Sequence, residues 1–393
     1  GESLFSGIRL SNTGFKRSDQ RLAVRKTSLS VMCLRFILKR NLWLSLIAVC
    51  WSGVIAAENV VLQLPWHHQF QFAGYYAALD DGIYQRYCLD VTIHEGGVDI
   101  APQQQLASGA VDFAVSWVPK ALVSREGGMD IVNVAQIFQR SGTLQVSWAD
   151  SGINSPADLA GKVVGNWGWG NEFELLAGSR RAGVDPGSDY DLVQQSFDML
   201  ALLKGEIDAA QAMIYNEYAQ VLEATNPATG GLYQASDLSV IDWNDVGTAM
   251  LQDAIWADGA RLAGDDDYAD VTTRFVAGSL EGWAYCRDNS ASCVDIVLAN
   301  GSALGESHQT WQMNEINGLI WPSPDGVGMM ATGLWDQTVD VSTSESILAA
   351  APDSGAYTTT YAAAALDILN GRGMDTTGQN WRATTVKLNP GGE

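Results

Sequence analysis

Short apolar runs along this chain end repeatedly on an aromatic residue: Trp66, Trp117, Trp167, Trp169, Tyr215 and Trp243 all stand in such places. An indole or phenol offers a flat apolar face and one polar edge, the combination that holds an aromatic ring. In Pro65–Tyr76 the contact candidates are Trp66 and a hydrogen-bonding neighbour, His67 or Gln69 (or His68), while Phe70, Phe72 and Tyr76 read as core. Gly96, in Glu95-Gly96-Gly97-Val98, permits close backbone approach. Ser116 and Trp117 close a further run. Gly165–Glu172 supplies Asn166, Trp167, Trp169 and Glu172; two Trp between glycines are costly to leave in water, and packing between lobes competes with lining a cleft. Tyr215, Asn216 and Glu217 follow another run. Glu217 either accepts from ring amino and N–H groups or pairs with its helix dipole, with equal weight. Trp243 and Asp245 complete the set.

Few basic residues fall in these loops, whereas an anion would want Arg or a helix N-terminus free of carboxylates. Glu172, Glu217 and Asp245 suit amino and ring N–H donors instead. The expected ligand is therefore a flat, neutral or weakly cationic heteroaromatic molecule, stacked on Trp and anchored by a carboxylate. Catalytic signatures are missing. There is no Gly-x-Ser-x-Gly elbow and no Cys/His pattern, and the glycine spacing at 165–170 does not match a phosphate loop. None of His67, His68, His94 and His308 sits in a paired-ligand motif. No catalytic residue, metal or cofactor is assigned.

The elements that must position these residues alternate. Apolar strands at Val60–Leu64, Leu89–His94 and Val111–Ser116 are interleaved with helical periodicity at Gly74–Tyr84 and Pro102–Ser108. The pattern resumes with strands at Gly161–Gly165, Asp191–Gln195 and Ile207–Ile214 and helices at Phe173–Ala182, Met199–Lys204 and Glu217–Glu223. Such alternation predicts α/β architecture with parallel βαβ units, whose ligands bind outside the carboxyl ends of strands. An apolar run at Met250–Ile255 predicts a return to the first unit, and mostly helical patterns follow. The expected division is one lobe from 58–148 plus 253–393 and a second from 149–252, with a hinge and an interlobe cleft. The tail after Gly373 reads as polar and loose.

Charge separates the beginning from the rest. The 393 residues carry a net −22, yet 1–57 hold nine Lys/Arg and two Asp/Glu, which leaves 14 basic and 43 acidic residues in 58–393. A surface that negative disfavours nucleic acid and anionic lipid. Arg35, Lys39 and Arg40 precede an apolar run from Leu42 to Ile55 and then Ala56 and Ala57. That order predicts a secretory leader over 1–57, with Met32 as start and export to an oxidising compartment. Val49 before Cys50 disfavours lipidation. Of the three cysteines beyond the leader, Cys286 and Cys293 flank a turn-like stretch and suit a local disulfide, leaving Cys88 as a buried free thiol.

At Trp66–Tyr76, Leu106–Phe113, Ser155–Gly165 and Met313–Pro324 the chain resembles the thiamine-pyrimidine (NMT/THI-type) family of periplasmic binding proteins. The resemblance implies a type II periplasmic-binding fold, periplasmic location, a monomer without membrane insertion once the leader is cleaved, and an ABC-importer permease as partner. It implies aminopyrimidine precursors of thiamine as ligands, with riboflavin, sulfonates and nitrate in related branches and sensor modules elsewhere. An aminopyrimidine is the first expectation and a flavin the second. Eukaryotic synthases of the family carry a cysteine cluster, a cofactor-bearing lysine and a histidine. Here Ser116 takes the lysine's place, Lys120 takes the histidine's, and the cluster is missing, so the resemblance implies binding and not synthesis.

Overall fold

The computed structural model describes residues 57–393 apart from 302 and 304. The expected leader, with Met32 and Cys50, lies outside them except for Ala57.

Two five-stranded sheets carry the architecture. The first is built from β1 (Glu58–Gln63), β2 (Leu89–His94), β3 (Phe113–Trp117), β4 (Ile131–Gln136) and β10 (Asp253–Asp258), in the order β2-β1-β3-β10-β4. The second comprises β5 (Thr143–Trp148), β6 (Val163–Asn166), β7 (Asp191–Gln194), β8 (Ala209–Met213) and β9 (Leu238–Asp242), in the order β7-β6-β8-β5-β9. In each sheet two parallel pairs lie beside one strand that runs antiparallel to both of its neighbours, β10 in the first and β5 in the second. Those two strands adjoin the crossings between sheets. The chain leaves the first sheet after Gln136, enters the second at Thr143, leaves it after Asp242 and returns at Asp253.

The first crossing thus comes earlier than the expected 148/149 boundary, and β5 belongs to the second sheet. Its sequence, Thr-Leu-Gln-Val-Ser-Trp, mixes polar and apolar residues that are nearly all buried, so it lacks the continuous apolar run of a recognisable interior strand. The returning strand starts at Asp253, three residues beyond Met250.

Helices cover the first sheet. α1 (Ala73–Asp80) packs along α7 (Asp266–Asp288). Their backbones approach so closely that a Cβ on Gly282 would stand 2.0 Å from the Gly74 carbonyl oxygen. Asp265 caps α7 by accepting from Asp267 N and Tyr268 N. Cys286 and Cys293 are joined by a disulfide between α7 and α8 (Ser290–Ala299). Cys88 is disulfide-bonded as well, which corrects the expected free thiol.

The tail is bound rather than loose. Arg287 Nη1 donates to Asp375 O (2.9 Å), and Thr384 N donates to Asn314 Oδ1 (2.7 Å). Asn389 N then reaches Ser307 Oγ (3.0 Å) on α9 (Glu306–Ile320), and Gly391 N reaches Glu223 O (3.1 Å), beside the second sheet. Individual hydrogen bonds to buried helix side chains anchor it, and such bonds leave no hydrophobic periodicity to read.

Candidate functional site

A cavity of about 670 Å³ opens between the two sheets and takes its lining from both. Strand ends deliver most of that lining, as open α/β sheets do. Of the residues singled out in the sequence, Trp66, Gln69, Ser116, Trp117, Trp167, Trp169, Tyr215, Asn216 and Glu217 line it.

Four others lie outside the lining, and three of them brace it. Gly96 N donates to Trp66 O (3.0 Å), and a Cβ there would come within 2.3 Å of Leu64 O, so glycine lets two strand-end loops lie against each other. Asn166 donates to Val193 O (3.1 Å) and accepts from Gly168 N (2.8 Å), and Glu172 accepts from Gly170 N (3.0 Å). Both pin the double-Trp loop from beneath. His67 is exposed and pairs with Glu95 (3.2 Å).

Two expectations fail. Trp243 is fully buried in the second lobe's own core, against Gly178 of α4 (Phe173–Arg181). Asp245 is exposed on the short helix Trp243–Val246 and does not reach the cavity. Asp242 caps the short helix by accepting from Asn244 N (2.8 Å), and the chain turns Trp243 back into the core of its own lobe.

Aromatic rings from both lobes meet in the cavity. Phe197, in the loop after β7, sits between Trp66 of the first lobe (ring centroids 4.8 Å apart) and Trp167 of its own lobe (5.8 Å). Trp169 stands at the mouth, 83% exposed, with φ +58°, a left-handed conformation that bulky residues rarely adopt. Backbone strain of this kind concentrates at ligand clamps.

The polar groups are few and tied together. On the floor, Gln312 of α9 donates to Gln69 Oε1 (3.0 Å), Gln69 to Gln71 Oε1 (2.7 Å), and Gln71 to Asp253 Oδ2 (2.9 Å). Burial pushes the Asp253 carboxyl up to about 7. Burial also raises Glu217 to about 7, partly offset by hydrogen bonds. Its oxygens accept from Met213 N (2.9 Å) and Asn216 Nδ2 (2.8 Å). The local helix-start role of Glu217 is therefore present alongside its place on the cavity wall. Behind Asn216, the buried His308 of α9 lies 2.9 Å from Asn216 Oδ1 and 2.6 Å from Glu223 Oε1.

Sequence reasoning missed Phe197, Phe173, Gln71, Gln103, Asn171 and, above all, Lys120. Lys120 lies in the first turn of α3 (Val118–Glu126), and its ammonium donates to Asn171 Oδ1 (2.7 Å) of the opposite lobe. Phe197 comes three residues after the end of β7, and Lys120 comes three residues after Trp117. A strand-end rule extended into the first helical turn would have found both.

The crossings are joined by one buried acid. Glu174 of α4 accepts from Ser141 Oγ (2.9 Å) at the first crossing and from Met250 N (2.7 Å) at the second. Among the described residues no cluster of three or more His, Cys, Asp or Glu is placed to hold a metal ion, and no helix is long and apolar enough to cross a membrane.

A family model described as NMT1/THI5 like matches residues 69–292. The formylaminopyrimidine-binding protein of Halalkalibacterium halodurans is 24% identical over 249 residues, 62% of this chain and 71% of that protein. The riboflavin-binding protein RibY of Chloroflexus aurantiacus is 22% identical over 312 residues, 75% of this chain and 83% of its own. Among solved structures, the periplasmic aliphatic sulphonate binding protein SsuA of Escherichia coli superimposes with TM-score 0.57 at 16% identity, covering 84% of this chain and 94% of that one. The desulfurization enzyme DSZB does so with TM-score 0.53 at 12% identity, covering 79% and 99%. At these identities the solved structures share the type II periplasmic-binding fold, which hosts both binding proteins and an enzyme.

Proposed function

The chain belongs to the NMT1/THI5-like family, and from that premise we propose that it is the extracytoplasmic ligand-capturing subunit of an ABC importer, closing two lobes on an aminopyrimidine. The observation that carries this reading is the interlobe cavity, where Trp66, Trp117, Trp167 and Phe197 present apolar ring faces with few polar groups between them. Rings so arranged grip a flat heteroaromatic molecule; each stacking contact adds roughly 0.5–1.5 kcal/mol beyond the area it buries. Glu217 on the cavity wall, a buried carboxyl raised to about 7, is partly protonated near neutral pH and so both donates to and accepts from an uncharged polar ring. The pyrimidine named in the relative from Halalkalibacterium halodurans has that chemistry. No residue is assigned a catalytic role, and Ser116, in the place of the synthases' lysine, accepts a hydrogen bond from Gln103 (2.7 Å).

A flavin is the second reading. The volume of about 670 Å³ favours it, because a single substituted ring leaves much of that space to water, and a riboflavin-binding relative is known. Isothermal titration of the mature protein with aminopyrimidines, riboflavin and taurine separates these readings. Tightest binding of an aminopyrimidine, with quenched Trp fluorescence, is expected. Tight taurine binding with no affinity for pyrimidine or flavin would refute both ring readings.

A further inference from the structure

The cavity has one lysine or arginine in its lining, Lys120. An ammonium carries three donors and accepts nothing. Its one hydrogen-bond partner among the described residues is Asn171 Oδ1, so two donors remain. Nζ stands 4.9 Å from the centre of the Trp117 ring, and a Cβ on Gly170 of the opposite lobe would come within 3.5 Å of Lys120 Cγ. Half-buried on the cavity wall, the ammonium turns its remaining donors to the space a ligand would fill.

Its position in the fold sharpens the question. Lys120 occupies the first turn of a nine-residue helix, where the macrodipole disfavours a cation, and no acidic residue shares that turn. Glu172 and Asp253 are close enough to favour its charge, yet burial outweighs them and holds the ammonium down to about 8. The Trp117 ring and Asn171 stabilise the ammonium but use only one of its three donors. A ligand oxygen at this spot would accept from the free donors and would face the helix N-terminus as well.

We propose that Lys120 is a specificity-determining ligand contact, donating to a carbonyl or oxyanion oxygen carried at the edge of the ring system that lies against Trp117. This inference rests on the aminopyrimidine reading above and narrows it: an N-formyl oxygen fits, and a bare aminomethyl group, itself cationic, does not. To the ligand expected from the loops, a flat heteroaromatic molecule anchored by a carboxylate, this adds an acceptor at one edge.

The test compares an N-formylaminopyrimidine with the same aminopyrimidine lacking the formyl group, by calorimetric titration of the wild-type protein, Lys120→Met, Lys120→Gln and Asn171→Ala. The wild type should prefer the formylated compound. Lys120→Met should weaken its binding about 10- to 100-fold, change the unformylated compound less than threefold, and leave the unliganded melting temperature at or above the wild-type value. Lys120→Gln, still a donor, should retain part of the preference. Equal losses for both compounds in Lys120→Met, matching those in Asn171→Ala, would reduce Lys120 to a lobe contact and overturn the proposal, as would no loss at all. Failure of the wild type to bind either compound would overturn the aminopyrimidine reading itself, and this inference with it.

Discussion

Replacing Glu174 by Gln should flatten the pH dependence of stability. Burial raises this carboxyl from 4.5 to about 8, more than its hydrogen bonds from Met250 N and Ser141 Oγ lower it. The unfolded chain releases the proton near 4.5, whereas the folded one keeps it until about 8. Between those values the native state binds more protons, so stability must fall as pH rises. A displacement of roughly three and a half pH units corresponds to about 5 kcal/mol. Glu217 and Asp253, each raised to about 7, add slopes of the same sign. Gln keeps an acceptor for Met250 N and offers a donor to Ser141, so the crossings stay joined. Urea unfolding of both proteins from pH 4.5 to 8 gives the comparison. Their difference should shift by several kcal/mol in favour of the variant as pH rises. A difference that stays constant, or moves the other way, would refute the assignment of a neutral buried acid at the hinge.

Three further outcomes follow from particular contacts. Trp167→Ala should weaken aminopyrimidine binding roughly tenfold by titration with little change in melting temperature, whereas Trp243→Ala, a core truncation, should cost about 3–5 kcal/mol in urea unfolding and spare affinity in the folded fraction. Replacing both Cys286 and Cys293 by Ala opens a short loop and should cost roughly 2–3 kcal/mol, read as a lower unfolding midpoint. Gly282→Ala drives a methyl into the Gly74 carbonyl and should destabilise by about 1–3 kcal/mol or more, read in the same assay.

Legibility varied with the kind of signal. The strand Leu89–His94 matches the structure end to end because its apolar residues alternate cleanly. Strands β4, β5 and β9 went unread: β5 is buried along its length yet keeps polar residues such as Gln145, which bonds the Gly165 carbonyl at 2.9 Å. Partners of this kind come from distant segments, and no local pattern announces them. The aromatic strand-end rule brought Trp66, Trp117 and Trp167 to the cavity and misplaced Trp243, because the direction a side chain takes after its strand is set by tertiary packing, here against Gly178. Lys120 escaped because its neighbour across the cleft, Asn171, is 51 residues away.

The C-terminal tail bears on the range of motion. Its anchor to Ser307, at Asn389, and its anchor to Glu223, at Gly391, are two residue steps apart, at most about 7 Å when extended. Gly392, with φ +83°, fits where a Cβ would press on His308 at 2.9 Å, so the seat is shaped for the strap. At this edge the lobes can separate by no more than that leash allows, and any larger excursion must be a swing about it. The floor, laced to α9 through Gln69 and Asn216, then uncovers last, and the rim at Trp169 travels furthest. Cutting the chain before Asn389 removes both anchors, and single-molecule distances across this edge should broaden accordingly.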